Sequence, residues 1–472
     1  MTKALLMQFA AAVGIGIGLR FVVNLDPVWW LAWFVPGLLL ALALRTEGWT
    51  SRGFTVVAAL IGVTANAPYL LQVMPRVPAI IVMTLQTLLW LLVVGTTRRV
   101  VKAFDAGWTV LAYPTICVAA DTLLAHLTPD GNWGSLAYTQ MEVLPIAQLA
   151  SVFGAGGVLF VLMLLNSALA LALHRGLRMR SATSAYSVAV AVVVITVSFG
   201  AWRLQAPVAG TPMTYGIVSI DDFLSGSPSE KSMDVWMQYG LQIAALAAGG
   251  AKVILLPEKI EVLAPADAES RKRYLGGLAA SRQVWLIAGL GVDKGKERRN
   301  EAWWFSPDGR LATNYLKHFM APPEREFVSG NEYPVSPIDG VNHGVAICKD
   351  MHFASLGRRF GALDAAVMMV PAWDFHTDAR MAMNMTKLRG VENGYMVVRS
   401  SRDGLLSVSD AYGRVLAVAE SRAYPGTSLF ATVNVGTRVP TIYTRIGDAL
   451  GWLCVAGALA MVVSSRRGRR RA

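Results

Sequence analysis

The sequence predicts an α-helical transmembrane bundle of about eight spans that carries one α/β domain over residues 204–445. Composition is the first reason. Of 472 residues, 54% are hydrophobic and only 16% charged, with a mean hydropathy of +0.45. An average soluble protein carries roughly 25% charged residues. The second reason is a series of apolar stretches close to the ~20 residues that cross a bilayer. The third is the interruption of that series by residues 204–445, where short β-rich runs alternate with helical stretches, the pattern of a layered α/β domain.

The apolar stretches fall near 4–23, 28–45, 54–74, 79–97, 107–127, 148–174, 184–202 and 446–464. The first is followed almost at once by the second, without a small-residue cleavage site, so it reads as a retained span and not as a signal peptide. Lysine and arginine occupy alternate loops: Lys3; Arg45 and Arg52; Arg98, Arg99 and Lys102; Arg175, Arg178 and Arg180; and the tail Arg466, Arg467, Arg469, Arg470 and Arg471. The loops 24–27 and 128–145 hold no lysine or arginine, and 75–77 holds Arg76 alone. The positive-inside rule puts the basic loops in the cytoplasm, requires an even number of spans and leaves residues 204–445 outside. The expected organisation is therefore 1–203 for spans one to seven, 204–445 for the extracytoplasmic domain, and 446–472 for the eighth span with a basic cytoplasmic tail.

The net charge of +12 is largely spent on this orientation pattern. It does not predict a nucleic-acid surface. Cys117 and Cys454 lie inside apolar runs and read as packing residues. No disulfide framework or zinc spacing can be built from three cysteines so placed. The third, Cys348, stands in a polar context. No metal or other cofactor is expected.

Within 204–445, "TYGIVSI" reads as a strand. A helix should follow, with Ser227 as N-cap, Pro228 at its first position and Glu230 closing a capping box, ending near Ala248 at Gly249-Gly250. "AKVILLPE", "QVWLIAGLGV", "EAWWFSPDGR", "VNHGVAIC", "DAAVMMVPAW" and "YMVVRSSRDG" read as further strands or strand–turn units.

Three polar residues stand at the ends of apolar runs: Glu258, Lys317 and Cys348. Strand ends project side chains from a rigid sheet. A cysteine attacks a carbonyl as thiolate and needs a base and a positive field. A carboxylate supplies the base, and a lysine ammonium stabilises the oxyanion of a tetrahedral intermediate. The three residue types make a complete acyl-transfer set.

Their order resembles the nitrilase superfamily. "Leu-Leu-Pro-Glu" is similar to its first motif, and "Lys-His-Phe-Met-Ala-Pro-Pro-Glu" to its lysine motif. "Arg389-Gly390-Val391-Glu392-Asn393-Gly394-Tyr395", "Arg399-Ser400-Ser401-Arg402-Asp403-Gly404" and "Asp410-Ala411-Tyr412-Gly413" are similar to its C-terminal landmarks. A nitrilase-like domain between the seventh and eighth of eight spans resembles the bacterial apolipoprotein N-acyltransferase family. So do "Gly134-Ser135-Leu136-Ala137-Tyr138-Thr139-Gln140", "Gln148-Leu149-Ala150-Ser151-Val152-Phe153-Gly154" and "Leu164-Leu165-Asn166-Ser167-Ala168-Leu169-Ala170".

The resemblance implies an α-β-β-α sandwich in the periplasm, on a bundle in the bacterial inner membrane. It implies Glu258 as general base, Lys317 at the oxyanion and Cys348 as nucleophile. Cys348 would take a fatty acyl chain from a phospholipid donor as a thioester and pass it to the amine of a diacylglyceryl-cysteine lipoprotein acceptor. A monomer is expected.

Departures cluster at the nucleophile. Cys348-Lys349-Asp350 stands where the family has Cys, an aromatic residue and Glu; "Val370-Pro371-Ala372-Trp373-Asp374-Phe375" is altered, and Lys259 follows Glu258 where a small residue is usual. Lys349 and Asp350 are therefore candidates for holding the oxyanion or its surroundings. Glu324 and Glu326 flank the expected place of a second glutamate, and Glu324, directly after the proline pair, is favoured to position Lys317. His318, His343, His352 and His376 read as structural. The departures keep open a membrane-tethered amidase, or an acyltransferase with another amine acceptor. A non-catalytic scaffold would leave Glu258, Lys317 and Cys348 more than about 10 Å apart, beyond hydrogen-bond reach.

Overall fold

The computed structural model describes all residues except 1, 105, 177–179, 226–229, 296 and 469–472. Arg178, the helix-start residues Ser227 and Pro228, and Arg469, Arg470 and Arg471 lie outside the described residues. The chain divides into two units: Met1–Gln205 with Ile446–Ala472, and Ala206–Arg445.

In the first unit, seven helices among the described residues are long and apolar enough to cross a membrane. They are Lys3–Val22, Gly48–Val73, Arg76–Ala103, Gly107–Leu127, Ala150–Arg175, Tyr186–Arg203 and Ala449–Arg466. The second predicted stretch differs, because Trp29–Arg45 is a shorter apolar helix. It begins as a 3-10 turn over Trp29–Trp33, leaves helical geometry at Phe34 (φ −128°, ψ −44°) and continues as an α-helix over Val35–Arg45. Pro36 sits in the first turn of that α-helix, where its missing N–H takes no bond away.

A break inside a bilayer leaves backbone groups that need partners. Asn166 and Gln140 supply them. The Asn166 side chain accepts the N–H of Gly37 at 2.7 Å and donates to the carbonyl of Ala32 at 2.9 Å. Gln140 accepts from the Trp33 indole at 2.9 Å and donates to the carbonyl of Trp29 at 3.0 Å. Position 37 must be glycine for this contact, since a Cβ there would lie 2.6 Å from the Asn166 carbonyl.

Arg45, Arg98 and Arg175 sit on carbonyls that end helices. Arg98 donates to Ala43 (2.7 Å) and Thr46 (2.8 Å), Arg175 to Phe104 (3.2 Å) and Val101 (3.4 Å), and Arg45 to Leu173. Cations at helix C-termini also complement the helix dipole.

The second unit holds two sheets. The first contains β1 (Thr211–Ser219), β2 (Leu224–Ser225), β3 (Val253–Leu255), β4 (Glu261–Leu263), β5 (Trp285–Asp293), β6 (Arg298–Phe305), β7 (Leu311–Leu316) and β14 (Thr427–Val435). Its order is β14-β1-β3-β5-β4-β2, with β6 and β7 running on from β5 as an antiparallel meander. The second contains β8 (Val335–Ile338), β9 (Val341–Val345), β10 (Val367–Trp373), β11 (Met396–Arg402), β12 (Leu405–Ser409) and β13 (Val415–Glu420), in order β13-β12-β11-β10-β9-β8. Strands β1, β3 and β5 are parallel, as are β9, β10 and β11.

Strand alternation builds the layers. Tyr215, Ile217 and Trp304 point into the core shared with Val345, Met369 and Val398 of the second sheet. Val218 and Trp303 point to the opposite face, under Val235, Tyr239 and Leu275 from helices Glu230–Ala248 and Pro265–Arg282. The neighbours Trp303 and Trp304 thus anchor two different layers. Ala379–Asn393 packs on the second sheet. Two polar contacts lock the sheets together: the Tyr215 hydroxyl with His343 Nε2 at 2.8 Å, and the Ser400 hydroxyl donating to Val218 O at 2.7 Å. The result is the expected α-β-β-α sandwich.

Candidate active site

Glu258 follows β3 through Leu256 and Pro257. The turn is pinned by two backbone bonds: Glu258 N–H donates to Ala372 O (3.2 Å) and Gly289 N–H to Pro257 O (3.0 Å). A Cβ at Gly289 would lie 2.5 Å from Pro257 O, so only glycine lets β5 pass this close. Lys317 directly follows β7, with its N–H on Asn300 O at 2.9 Å. Cys348 ends the run that leaves β9 and opens a 3-10 turn over Cys348–His352. The cysteine sits at φ +44°, a conformation that costs a residue with a Cβ about 1–2 kcal/mol.

The Lys317 ammonium lies between two carboxylates, 2.6 Å from Glu258 Oε1 and 2.7 Å from Glu324 Oε2. Asn300 bridges the same pair, donating to Glu258 Oε1 at 2.6 Å and Glu324 Oε1 at 2.8 Å. Lys259 closes the network from the other side, with Nζ 2.5 Å from Glu324 Oε1. Glu258, Lys259, Lys317 and Glu324 are all buried. Two carboxylates and two ammonium groups balance. Such a cluster is costly to desolvate and a poor way to gain stability, which points to chemistry as its reason.

Burial opposes the charge on Lys317, but Glu258 and Glu324 outweigh it and hold the ammonium well above its ordinary value. Glu324 is likewise penalised by burial, yet Lys317 and Lys259 pull its carboxyl down to about 2. Burial, with Glu258 and Asp374, pushes the Cys348 thiol well above its ordinary value, while Lys317 and Arg399 pull it back. Burial thus favours the neutral form of the Cys348 thiol, which lies in the field of Glu258 and Lys317. Its Sγ rests 3.5 Å from Trp373 O.

Asp350 is a brace. Its carboxylate accepts the N–H of Ile347 (3.0 Å), the N–H groups of His318 (3.1 Å) and Phe319 (2.8 Å), and the Tyr315 hydroxyl (2.7 Å). It thereby ties the nucleophile turn to the lysine segment. Lys349 does the same in reverse, with Nζ on Met320 O at 3.0 Å. Both departures at the nucleophile thus hold backbone around the site. Of the two candidate second glutamates, Glu324 meets Lys317, whereas Glu326 is exposed and 3.8 Å from Arg298.

Several functional neighbours escaped the sequence reading. Asn300 lies in a mixed polar and aromatic strand and gives no local signal. Lys259 was visible only as an unusual neighbour of Glu258. Asp374 and Arg399 pair at 2.9 and 2.5 Å behind Trp373. Arg402 stacks on Trp373 at 3.6 Å and donates to Lys259 O at 3.2 Å. His343 is buried between the sheets, which lowers it to about 4. Asp221, His376 and Asp403 place ligand atoms within 4.8 Å of one another. There Asp403 already accepts from the Trp373 indole at 2.8 Å, around an exposed imidazole.

Comparison with known proteins finds relatives for both units of the chain. Residues 17–168 match the family described as the apolipoprotein N-acyltransferase N-terminal domain, and residues 227–434 match the carbon-nitrogen hydrolase family. An apolipoprotein N-acyltransferase of Geobacter metallireducens is 26% identical, over 94% of this chain and 92% of its own length. Another, from Bradyrhizobium diazoefficiens, is 23% identical over 76% and 74%. Among solved structures, an amidase from Nesterenkonia sp. AN1, carrying a covalent acetamide adduct at its active-site cysteine, overlays 50% of this chain and 95% of its own. That overlay has a TM-score of 0.42 and 18% identity. Both family matches and the near full-length relative agree, and the chain is similar along its length to the apolipoprotein N-acyltransferases.

Proposed function

We propose that this protein is a membrane N-acyltransferase. It moves a fatty acyl chain from a phospholipid, through a Cys348 thioester, to the N-terminal amine of a diacylglyceryl-cysteine lipoprotein. It works in the bacterial inner membrane with residues 206–445 in the periplasm. The observation that carries this reading is Lys317 held at 2.6 and 2.7 Å between two buried carboxylates, with the Cys348 thiol in their field, on a chain of membrane-spanning helices.

Glu258 takes the Sγ proton as sulfur attacks the ester carbonyl of the donor. The carbonyl oxygen becomes an oxyanion against the Lys317 ammonium, which Glu324 keeps charged and aimed. The tetrahedral intermediate collapses, the C–O bond breaks, and Glu258 returns the proton to the departing lysophospholipid. The amine of the acceptor then attacks the thioester carbonyl. Glu258 removes its surplus proton, the C–S bond breaks and the proton goes back to sulfur. Both substrates are lipid-anchored, so an enzyme in the same membrane meets them at high local concentration.

The test is intact-protein mass spectrometry after incubation with phospholipid, comparing wild type with Cys348→Ser. The expected result is a fatty-acyl mass increment on wild type alone, discharged by a diacylglyceryl-cysteine peptide. Discharge by water or small amines, and not by that peptide, would favour the amidase-like alternative. A folded wild type that gains no mass would overturn the thioester.

A further inference from the structure

Helices Gly48–Val63 and Arg76–Ala103 pack side by side in the first unit. A cleft of about 1190 Å³ opens between them. This exceeds the roughly 300–1,000 Å³ of an ordinary small-molecule pocket. Its lining divides into two chemistries. Arg52, Arg98, Arg99 and Lys102 stand against the single carboxylate of Glu47. Val56, Val57, Leu91 and Leu92 follow one to two turns away along the same helices.

The four cations are not equally engaged. Arg98 donates to the carbonyls of Ala43 and Thr46. Lys102 meets Glu47 at 3.7 Å, in a pair whose glutamate side chain is 90% exposed, and such a pair contributes little. Arg52 lies over the Trp49 ring at 4.6 Å. Arg99 is exposed and has no ion-pair partner among the described residues. Gly53 and Gly95 also line the cleft, and a Cβ added at either would meet nothing within 4 Å.

Membrane orientation needs only positive charge in a short loop. It does not need a recess between two spans that is basic in one part and apolar in the next. Basic pockets between spans on the cytoplasmic side suit anionic lipid headgroups, and the positive-inside rule puts the loops that carry Arg52, Arg99 and Lys102 on that side. A soluble anion would use the arginines and leave the apolar wall uncovered. A zwitterionic headgroup would bring a cation of its own to a site that already holds four.

We propose that this cleft binds an anionic phospholipid of the cytoplasmic leaflet. Arg52 and Arg99 hold its phosphate, and its acyl chains run along Val56, Val57, Leu91 and Leu92. This lipid is bound and not consumed. The cleft lies wholly in the first unit, whereas Glu258, Lys317 and Cys348 lie in the second. The inference does not rest on the acyl-transfer reading.

The test uses the full-length protein in detergent, as wild type and as Cys348→Ala. Native mass spectrometry compares retention of dioleoyl phosphatidylglycerol with that of dioleoyl phosphatidylcholine. Both proteins should hold the anionic lipid about tenfold or more over the zwitterionic one. Arg52→Gln combined with Arg99→Gln should abolish the preference, and both positions are exposed, so the fold should survive. Gly95→Leu keeps every charge, fills the open part of the cleft and replaces glycine by a better helix former. It should lower phosphatidylglycerol retention about tenfold. Equal retention of the two lipids by wild type would overturn the proposal, as would a preference that survives the double arginine variant. Loss of the preference in Cys348→Ala would put the lipid at the acyl-transfer site and overturn it too. Displacement of the lipid by an equal concentration of glycerol phosphate would overturn it in favour of a site for a free anion.

Discussion

The two units bury polar side chains in different ways. In the bundle, Asn166 and Gln140 are neutral amides whose oxygen and nitrogen atoms serve backbone groups and an indole of the broken Trp29–Gly37 segment. In the α/β unit, Glu258, Lys259, Lys317 and Glu324 are full charges that serve one another. Neutral amides repair structure at small desolvation cost. Buried ions cost several kcal/mol each to desolvate and rarely increase stability. The bundle cluster should therefore matter for folding and the ionic cluster for turnover.

The largest effect should follow from Cys348→Ser. Acyl transfer should fall to background, on the order of 10⁴-fold or more, with the melting temperature within a few degrees of wild type. Lys317→Met breaks both sides of the contrast at once. Loss of the oxyanion partner should cost about 10²–10³ in kcat. Glu258, buried and left without its cation, should also destabilise the fold by about 3–5 kcal/mol, readable by thermal unfolding. Glu258→Gln in the same assay should lose turnover without that degree of destabilisation.

Asn166→Leu probes the other unit. It leaves the Gly37 N–H and the Ala32 carbonyl without these partners and should cost about 1–3 kcal/mol. The signature is a lower yield of folded protein with unchanged kcat per folded molecule. A reduced kcat at full folding would break the comparison.

A smaller effect is expected from Lys259→Met, which removes one of the two cations on Glu324. The Glu324 carboxyl lies at about 2, against an ordinary 4.5. A carboxylate with a lowered folded value contributes stability that is complete above 4.5 and is lost as pH falls through 2. Lys259→Met should raise the pH at which acid unfolding of the full chain begins, and lower kcat about tenfold if Glu324 aims Lys317. The smallest effect belongs to Glu326→Gln, an exposed position expected to stay within about 0.5 kcal/mol. A loss of activity there would reopen the choice between Glu324 and Glu326.

Hydropathy and charge reveal most of the spans because crossing a bilayer demands ~20 apolar residues in a row, a purely local property. The shorter Trp29–Arg45 helix is the exception. Its apolar run looks like any other, and its early break is stabilised by Gln140 and Asn166, more than a hundred residues away. The sequence by itself likewise singled out Glu258, Lys317 and Cys348 as the candidate trio. Pro-Glu, the lysine segment and the lone polar cysteine each sit at the end of an apolar run. Strands that alternate with helices announced a layered α/β domain, and the resemblance of its motifs implied the two-sheet sandwich.

Only the tertiary structure decided how those residues pair. Asn300 on β6 bridges Glu258 and Glu324 because the β5–β6–β7 meander brings their segments together. Lys259 neutralises Glu324 from 65 positions away. Glu324 prevails over Glu326 because the 3-10 turn Pro322–Glu324 aims its side chain inward. Asp350 turns out to be a brace, because four donors from two segments converge on it. Local pattern fixes which residues can enter a helix or leave a strand. Long-range packing fixes which buried charges meet, and no spacing along the chain encodes that.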